Sequence, residues 1–326
     1  MGFIKFIIKR VLQVIPLLIL VSLISFFIIR LSPIDPLAEL RLNPAISEET
    51  LQKEIKRLKL DKPIAIQYFY WAKSFVKLDL GYTSAGEKVS TKLKERIPNT
   101  LLLTIIVIFM TWITGIPLGI ISAIKKETSI DRILTVLSSI GMAIPSFFFS
   151  IMLLLLAVKT GWFPVGGLTS YNFNDMNMFG KIIDLAKHLF LPVTVLFTIS
   201  LSGLQRQMRA NMLEVLDSDY IKFARAKGLS EFKVIFKHGL RNAINPMITL
   251  LGFEFAGLLS GAALTEYVFQ YPGLGRLILE AVMKSDINLV MASLMIGTIM
   301  LILGNLIADI LLMLTDPRIR TRKNDI

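Results

Sequence analysis

Apolar runs without charge, each about as long as a membrane is thick, alternate along this chain with segments rich in Lys, Arg and turn residues. A hydrocarbon core of about 30 Å takes about 20 residues of helix to cross. Residues 11–29 form the first such run. The pattern predicts helical spans over about residues 10–30, 100–123, 133–157, 189–206, 246–268 and 288–314. The chain therefore reads as an all-α membrane protein with six transmembrane helices. The fourth span is the weakest. It starts after His188, carries Pro192 and Gly203 and runs into Gln205 and Arg206, residue types that membrane helices tolerate. Lys5, Lys9 and Arg10 before the first run suggest a signal peptide. That run exceeds an h-region of about 7–15 residues and ends at Arg30-Leu31-Ser32-Pro33 without a small-x-small site, so it is read as a retained helix.

The polar segments orient these spans. One side would hold Lys5, Lys9 and Arg10; Lys125, Lys126 and Arg132; the basic loop from Arg206 to Arg241; and Arg318, Arg320, Arg322 and Lys323. The other side holds two shorter loops with Lys159, Lys181 and Lys187, then Arg276 and Lys284. Positive residues collect in cytoplasmic loops, and long loops do not vote. Both termini are thus expected in the cytoplasm. The net charge of +12 follows from the same bias, and no basic patch interleaved with stacking aromatics points to nucleic acid.

The long segment between the first two spans, residues 31–95, has helical periodicity of its own. Ser47 is placed to cap a helix whose apolar face is Leu51, Ile55 and Leu58. Asp61 and Pro63 would end it. Tyr68, Trp71, Ala72 and Phe75 repeat the spacing, Gly81 and Gly86 bracket a turn, and Val89, Leu93 and Ile97 form a short third stretch before Pro98. These faces suit packing on one another, on the membrane surface or on a partner.

The loop between spans four and five, about residues 207–245, predicts a helix, a glycine break and a second helix. Tyr220, Phe223 and Ala224 fall on one face of the first helix. Gly228 suits a left-handed C-terminal position, Ser230 suits an N-cap, and Phe232, Ile235 and Phe236 give the second helix an apolar stripe. Pro246 would mark the start of span five. Physically this is either an ordinary basic connecting loop or a pair of short helices whose apolar faces await a partner.

This segment resembles the "EAA" loop of ABC importer permeases, with Ala224-x-x-x-Gly228 as its core. Lys222 and Phe223 depart from the general motif. The form Ala224-Arg225-Ala226-Lys227-Gly228-Leu229-Ser230, with Arg241-Asn242-Ala243 downstream, is similar to the dipeptide/oligopeptide/nickel branch. Further pieces resemble that branch in order along the chain: Lys9-Arg10-Val11-Leu12-Gln13, Ser32-Pro33-x-Asp35-Pro36, Leu60-Asp61-Lys62-Pro63, Asp79-Leu80-Gly81, Arg96-x-Pro98-x-Thr100-Leu101, Gly115-x-Pro117-Leu118-Gly119, Pro145-Ser146-Phe147, Gly161-Trp162-Phe163-Pro164, Tyr271-Pro272-Gly273-Leu274-Gly275 and Asp316-Pro317-Arg318. The resemblance implies the type I ABC importer permease fold. It implies a helical extracytoplasmic segment over 31–95, a permease core over 96–315 and a cytoplasmic tail over 316–326. It also implies that Tyr220, Ala224, Arg225, Ala226, Lys227, Gly228, Leu229 and Ser230 couple the chain to an ATPase. The implied partners are a second, related permease, two ATPase subunits that bind ATP and Mg, and an extracytoplasmic binding protein. The implied setting is a bacterial or archaeal plasma membrane, and the implied cargo is a dipeptide or oligopeptide, with nickel or a metal chelate as the alternative.

Single residues add less. Glu254 and Asp309 lie inside spans five and six, where a carboxylate costs about 2.5–3.5 kcal/mol. Each is either a pathway residue or an interhelical hydrogen-bonding group. His188 and His238 flank opposite faces of the bilayer and make no metal pair. Gly115-x-x-x-Gly119 and Gly257-x-x-x-Gly261 have the spacing that lets helices approach closely. No G-x-x-x-x-G-K-[ST] phosphate loop is present, and no spacing suggests a nucleophile and base. No ATPase site, catalytic residue or metal site is therefore expected in this chain. The rival of another class is an ion-coupled carrier using Glu254 and Asp309 as relays.

Overall fold

The computed structural model describes residues 3–31, 37, 41, 47–57 and 59–315. Leu58, the motif Ser32-Pro33-x-Asp35-Pro36 and the tail 316–326 lie outside them. The described helices are α1 Phe3–Leu31, α2 Glu48–Arg57, α3 Ile64–Val76, α4 Val89–Ile124, α5 Ser129–Ala143, α6 Ser146–Thr160, α7 Met178–Leu216, α8 Asp219–Ala226, α9 Leu240–Val268, α10 Leu274–Met283 and α11 Ile287–Thr315. Among the described residues, sheet-like pairing is confined to a bridge between Tyr82 and Lys88.

Four helices contain stretches long and apolar enough to cross a membrane: α1 over Leu12–Leu31, α4, α7, and α11 over Ile287–Met313. The straight span expected over 133–157 is instead two helices, α5 and α6, bent by 94° and jointly long enough to count as a fifth. The cause is local. Ile144 takes an extended conformation (φ −84°, ψ 120°), as the residue before Pro145 must when the proline ring crowds it.

Elsewhere the expected prolines do not break helices. Pro98 lies inside α4, which joins the predicted stretch at Val89, Leu93 and Ile97 to the span that follows. Pro246 lies inside α9 rather than at its start. The expected span 189–206 is the middle of α7, whose 39 residues extend about 58 Å.

The chain divides into two compact units. Of the described residues, one comprises 99–275 with those from 301 onward, the other those up to 98 with 276–300. In the first, α7 is the central pillar, and Leu189, Val193 and Leu196 pack with Leu103, Val107, Leu258 and Ala262. Small residues set its spacing from its neighbours. A Cβ on Gly119 would stand 2.6 Å from Met208 Cβ, and one on Gly141 would stand 2.2 Å from Ser202 Oγ. The Gly115/Gly119 pair therefore serves close approach of α4 to α7. Gly257 faces open space.

In the second unit, Ser47 Oγ accepts from Thr50 N at 3.3 Å, the expected cap of α2. Leu51 is buried on that helix. α3 packs on α1 through Tyr68, Trp71 and Phe26. The glycine-bracketed turn, with φ of +74° at Gly81 and +81° at Gly86, meets the start of α11. There Ser84 N donates to Asp286 Oδ2 at 2.7 Å and Asn288 Nδ2 to Tyr82 O at 3.1 Å.

Candidate coupling site

The candidate site is built at the Leu216 end of α7. Asp131, buried at the start of α5, receives both Arg209 Nε and Nη2 at 2.7 Å. It also accepts from Ser122 Oγ on α4 and from Glu127 N at 2.9 Å. One carboxylate thus ties the α4–α5 turn to α7. A buried fork of this kind is geometrically specific.

Beyond Leu216 the chain turns at Asp217 and Ser218 and enters α8. Ile221 is fully buried and Ala224 nearly so. With Val234 they form a small core against Val215, Leu216 and Leu229. The predicted face of Tyr220, Phe223 and Ala224 is therefore split. Ala224 turns inward with Ile221, where its small side chain lets the two helices close up. Tyr220 and Phe223 are 45% and 62% exposed. Burying Ile221 and Val234 contributes about 1.5–3 kcal/mol each, enough to hold so short a helix.

Gly228 has φ +75°, as predicted, and a Cβ there would meet nothing within 4 Å. Arg225 closes the turn on Glu231 with Nε and Nη2 at 2.8 and 3.3 Å. Lys227 Nζ lies 4.6 Å from the Phe223 ring centre. Ser230 immediately precedes the second helical stretch, and its carbonyl accepts from Val234 N at 3.0 Å.

That second stretch is a wide, π-type turn over Lys233–Gly239, a local irregularity often found at functional sites. It splits the predicted stripe of Phe232, Ile235 and Phe236. Ile235 packs inward. Phe232 and Phe236 are 70% and 43% exposed and lie ring to ring at 4.7 Å. The turn thus presents four aromatic rings outward, at Tyr220, Phe223, Phe232 and Phe236. Tyr220 is steadied by Asn242 Nδ2, which donates to its hydroxyl at 3.0 Å. Behind the turn lies a cavity of about 650 Å³ walled by the ends of α4 and α7 and by Arg225, Glu231 and Ile235.

A second constellation joins α4 to α9 and the loop after it. Thr100 Oγ1 donates to Glu266 at 2.9 Å and accepts from Leu274 N at 2.7 Å. Asn99 Nδ2 donates to Pro272 O at 2.8 Å, and Tyr271 Oη donates to Asn99 O at 2.7 Å. A Cβ on Gly273 would fall 2.1 Å from Glu266 Oε1, so glycine is required there. Burial, reinforced by the Glu266 carboxylate, raises the Tyr271 phenol above its ordinary pKa and keeps it a hydrogen-bond donor. Two sequence pieces, Asn99-Thr100 and Tyr271-Pro272-Gly273-Leu274, thus form one latch.

The sequence reading did not single out Asp131, Arg209 or Glu266. For Glu266 a signal was present, a carboxylate within an apolar run, the criterion that selected Glu254. For Asp131 and Arg209 the residues are 78 positions apart, and neither spacing nor composition pairs them.

Of the remaining candidates, Glu254 accepts from Trp112 Nε1 at 2.8 Å, an interhelical hydrogen bond from α4 to α9. Asp309 is half-buried on α11. His188 is buried and its Nδ1 lies 2.8 Å from Asp184 O. Asp184 in turn accepts from Ser170 N and Oγ at 2.9 and 2.5 Å.

An all-helical membrane chain with an exposed helix–glycine–helix turn defines a class, and comparison with known proteins gives it a family. Residues 115–321 match the family described as "binding-protein-dependent transport system inner membrane component", and residues 3–104 match its N-terminal region. The chain belongs to that family and is a multi-pass membrane protein. It is 40% identical over 317 residues to the oligopeptide transport system permease protein AppB of Bacillus subtilis, covering 96% of this chain and 98% of the relative. It is 35% identical over 338 residues to the dipeptide transport system permease protein DppB of Escherichia coli K12, covering 98% and 99%. A putative peptide transport system permease protein of Brucella abortus is 33% identical over 316 residues, covering 96% and 98%.

Proposed function

We propose that this chain is the permease subunit of an ATP-driven peptide importer and forms half of its translocation pathway. The observation that carries this reading is near-full-length similarity to relatives named as oligopeptide and dipeptide permeases. The proposed complex adds a second permease, two ATPase subunits that bind ATP and Mg, and an extracytoplasmic binding protein. α9 supplies the sixth span beside the five candidates, both termini are cytoplasmic, and residues 31–95 are an extracytoplasmic segment. Residues 96–315 form the permease core.

The proposed mechanism is alternating access. A change of state requires differential affinity for the two states, and ATP binding by the partner supplies it at Tyr220–Ser230. The four outward aromatics support this reading, since aromatic side chains anchor interfaces. Motion of α8 would reach α5 through α7 and the Asp131–Arg209 pair, and α9 directly through the π-type turn. The experiment is reconstitution of the chain with its three kinds of partner in vesicles. ATP-dependent uptake of labelled di- and oligopeptides that requires the binding protein is expected. Uptake that continues without the ATPase but collapses with an ion gradient would identify a secondary carrier. Uptake of nickel but not peptide would move the cargo to the metal branch.

A further inference from the structure

We infer that α3 is a membrane-seated helix that lies against the Leu31 end of α1 with its far face in lipid. The inference rests on the membrane reading of α1 alone and not on what the protein transports.

The depth of α3 follows from what it touches. Tyr68 Oη meets Ser22 Oγ at 2.9 Å. The Phe26 ring, 1% exposed, lies 5.5 Å from Tyr68 and 5.9 Å from Trp71. Both partners belong to the apolar stretch Leu12–Leu31. Ser22 precedes Leu31 by nine residues and Phe26 by five, or about 13 and 7 Å along the helix. A helix whose side chains reach those positions lies at the level of the bilayer.

The opposite face of α3 is suited to that place. Phe69 and Val76, one above the other at seven-residue spacing, are 64% and 82% exposed, and Ile66 is also exposed. Beside them stand Tyr70, Lys73 and Lys77, all exposed, and Lys59 Nζ lies 5.3 Å from the Tyr70 ring. In water this face would leave large apolar groups unburied. In the interface the apolar groups enter the acyl chains while the lysines extend to lipid phosphates. Tyr and Trp collect at the same level. α1 itself presents Ile24, Ile28 and Leu31 outward there. α2 is a contrast: its exposed surface carries the Lys53–Glu49 pair at 2.7 Å, the chemistry of a helix in water.

The chain has no cysteine, so Phe69→Cys and Val76→Cys can each carry a single nitroxide, with Lys53→Cys as the aqueous reference. The complex is assembled with cysteine-free partners in vesicles of phosphatidylcholine with a minority of phosphatidylglycerol, and membrane insertion with the partners still bound reports intact assembly. Collision with oxygen is compared with collision with a water-soluble nickel chelate. The expected oxygen-to-nickel ratio at 69 and 76 is several-fold above that at 53. A ratio equal to that at 53 would place α3 in water and overturn the inference. Shielding from both probes would also overturn it, by showing that a protein covers the face. If one variant fails to assemble, the other answers the same question, because both side chains already point outward.

Discussion

The latch around Glu266 and the turn around Gly228 are built from similar materials and left in opposite states. Each uses a glycine, at least one aromatic residue and a carboxylate. In the latch, Tyr271 and Glu266 are fully buried, and Thr100, Asn99 and Leu274 complete their hydrogen bonds within the chain. In the turn, Ile221, Ala224 and Val234 are buried, but Phe223 and Phe232 are 62% and 70% exposed. Exposed aromatic anchors mark surfaces that are completed by another molecule. The difference teaches that damage to the latch should cost folding, whereas damage to the turn should cost partnership.

The largest effect is expected from filling the latch. Gly273→Val places carbon where Glu266 already stands, and the chain should fail to accumulate in membranes; full accumulation would show that the latch yields. Breaking the Asp131–Arg209 fork comes next. Asp131→Ala strands Arg209 and should destabilise the detergent-solubilised protein by about 3 kcal/mol, measured by thermal unfolding. The double variant Phe223→Ala/Phe232→Ala should leave thermal stability within about 0.5 kcal/mol. Loss of two anchors worth about 2 kcal/mol in total should weaken ATPase binding roughly thirty-fold. Equal losses of stability and binding would erase the contrast between the two regions. The smallest effect belongs to Gly228. Asn tolerates a positive φ, so Gly228→Asn should nearly preserve uptake. Gly228→Val strains the backbone by about 1–2 kcal/mol and should reduce uptake with the chain still inserted.

The same contrast explains what the sequence could disclose. Apolar run length predicted the regions of the long helices α1, α4, α7, α9 and α11, because a run of about 20 apolar residues is a local property of the sequence. The left-handed Gly228 and the cap at Ser47 were legible for the same reason. The right-angle bend at Ile144–Pro145 was missed although its cause is local, because the run over 133–157 is apolar on both sides of it. Pro98 and Pro246 suggested boundaries that continuous helices ignore, as membrane helices often do. The split of Tyr220 and Phe223 from Ala224 depended on Val234, which belongs to the next helix. The latch depended on residues as much as 174 positions apart. Tertiary pairing of that kind has no periodicity to reveal it.

The most direct test of the coupling account uses the absence of cysteine once more. Lys227→Cys is assembled in membranes with cysteine-bearing ATPase subunits and treated with a short bifunctional thiol reagent, with Lys53→Cys as the control. The account predicts a covalent adduct with the ATPase subunit from position 227 and none from position 53. Absence of the adduct at 227 across a panel of ATPase surface cysteines, in a complex that still imports peptide, would contradict it.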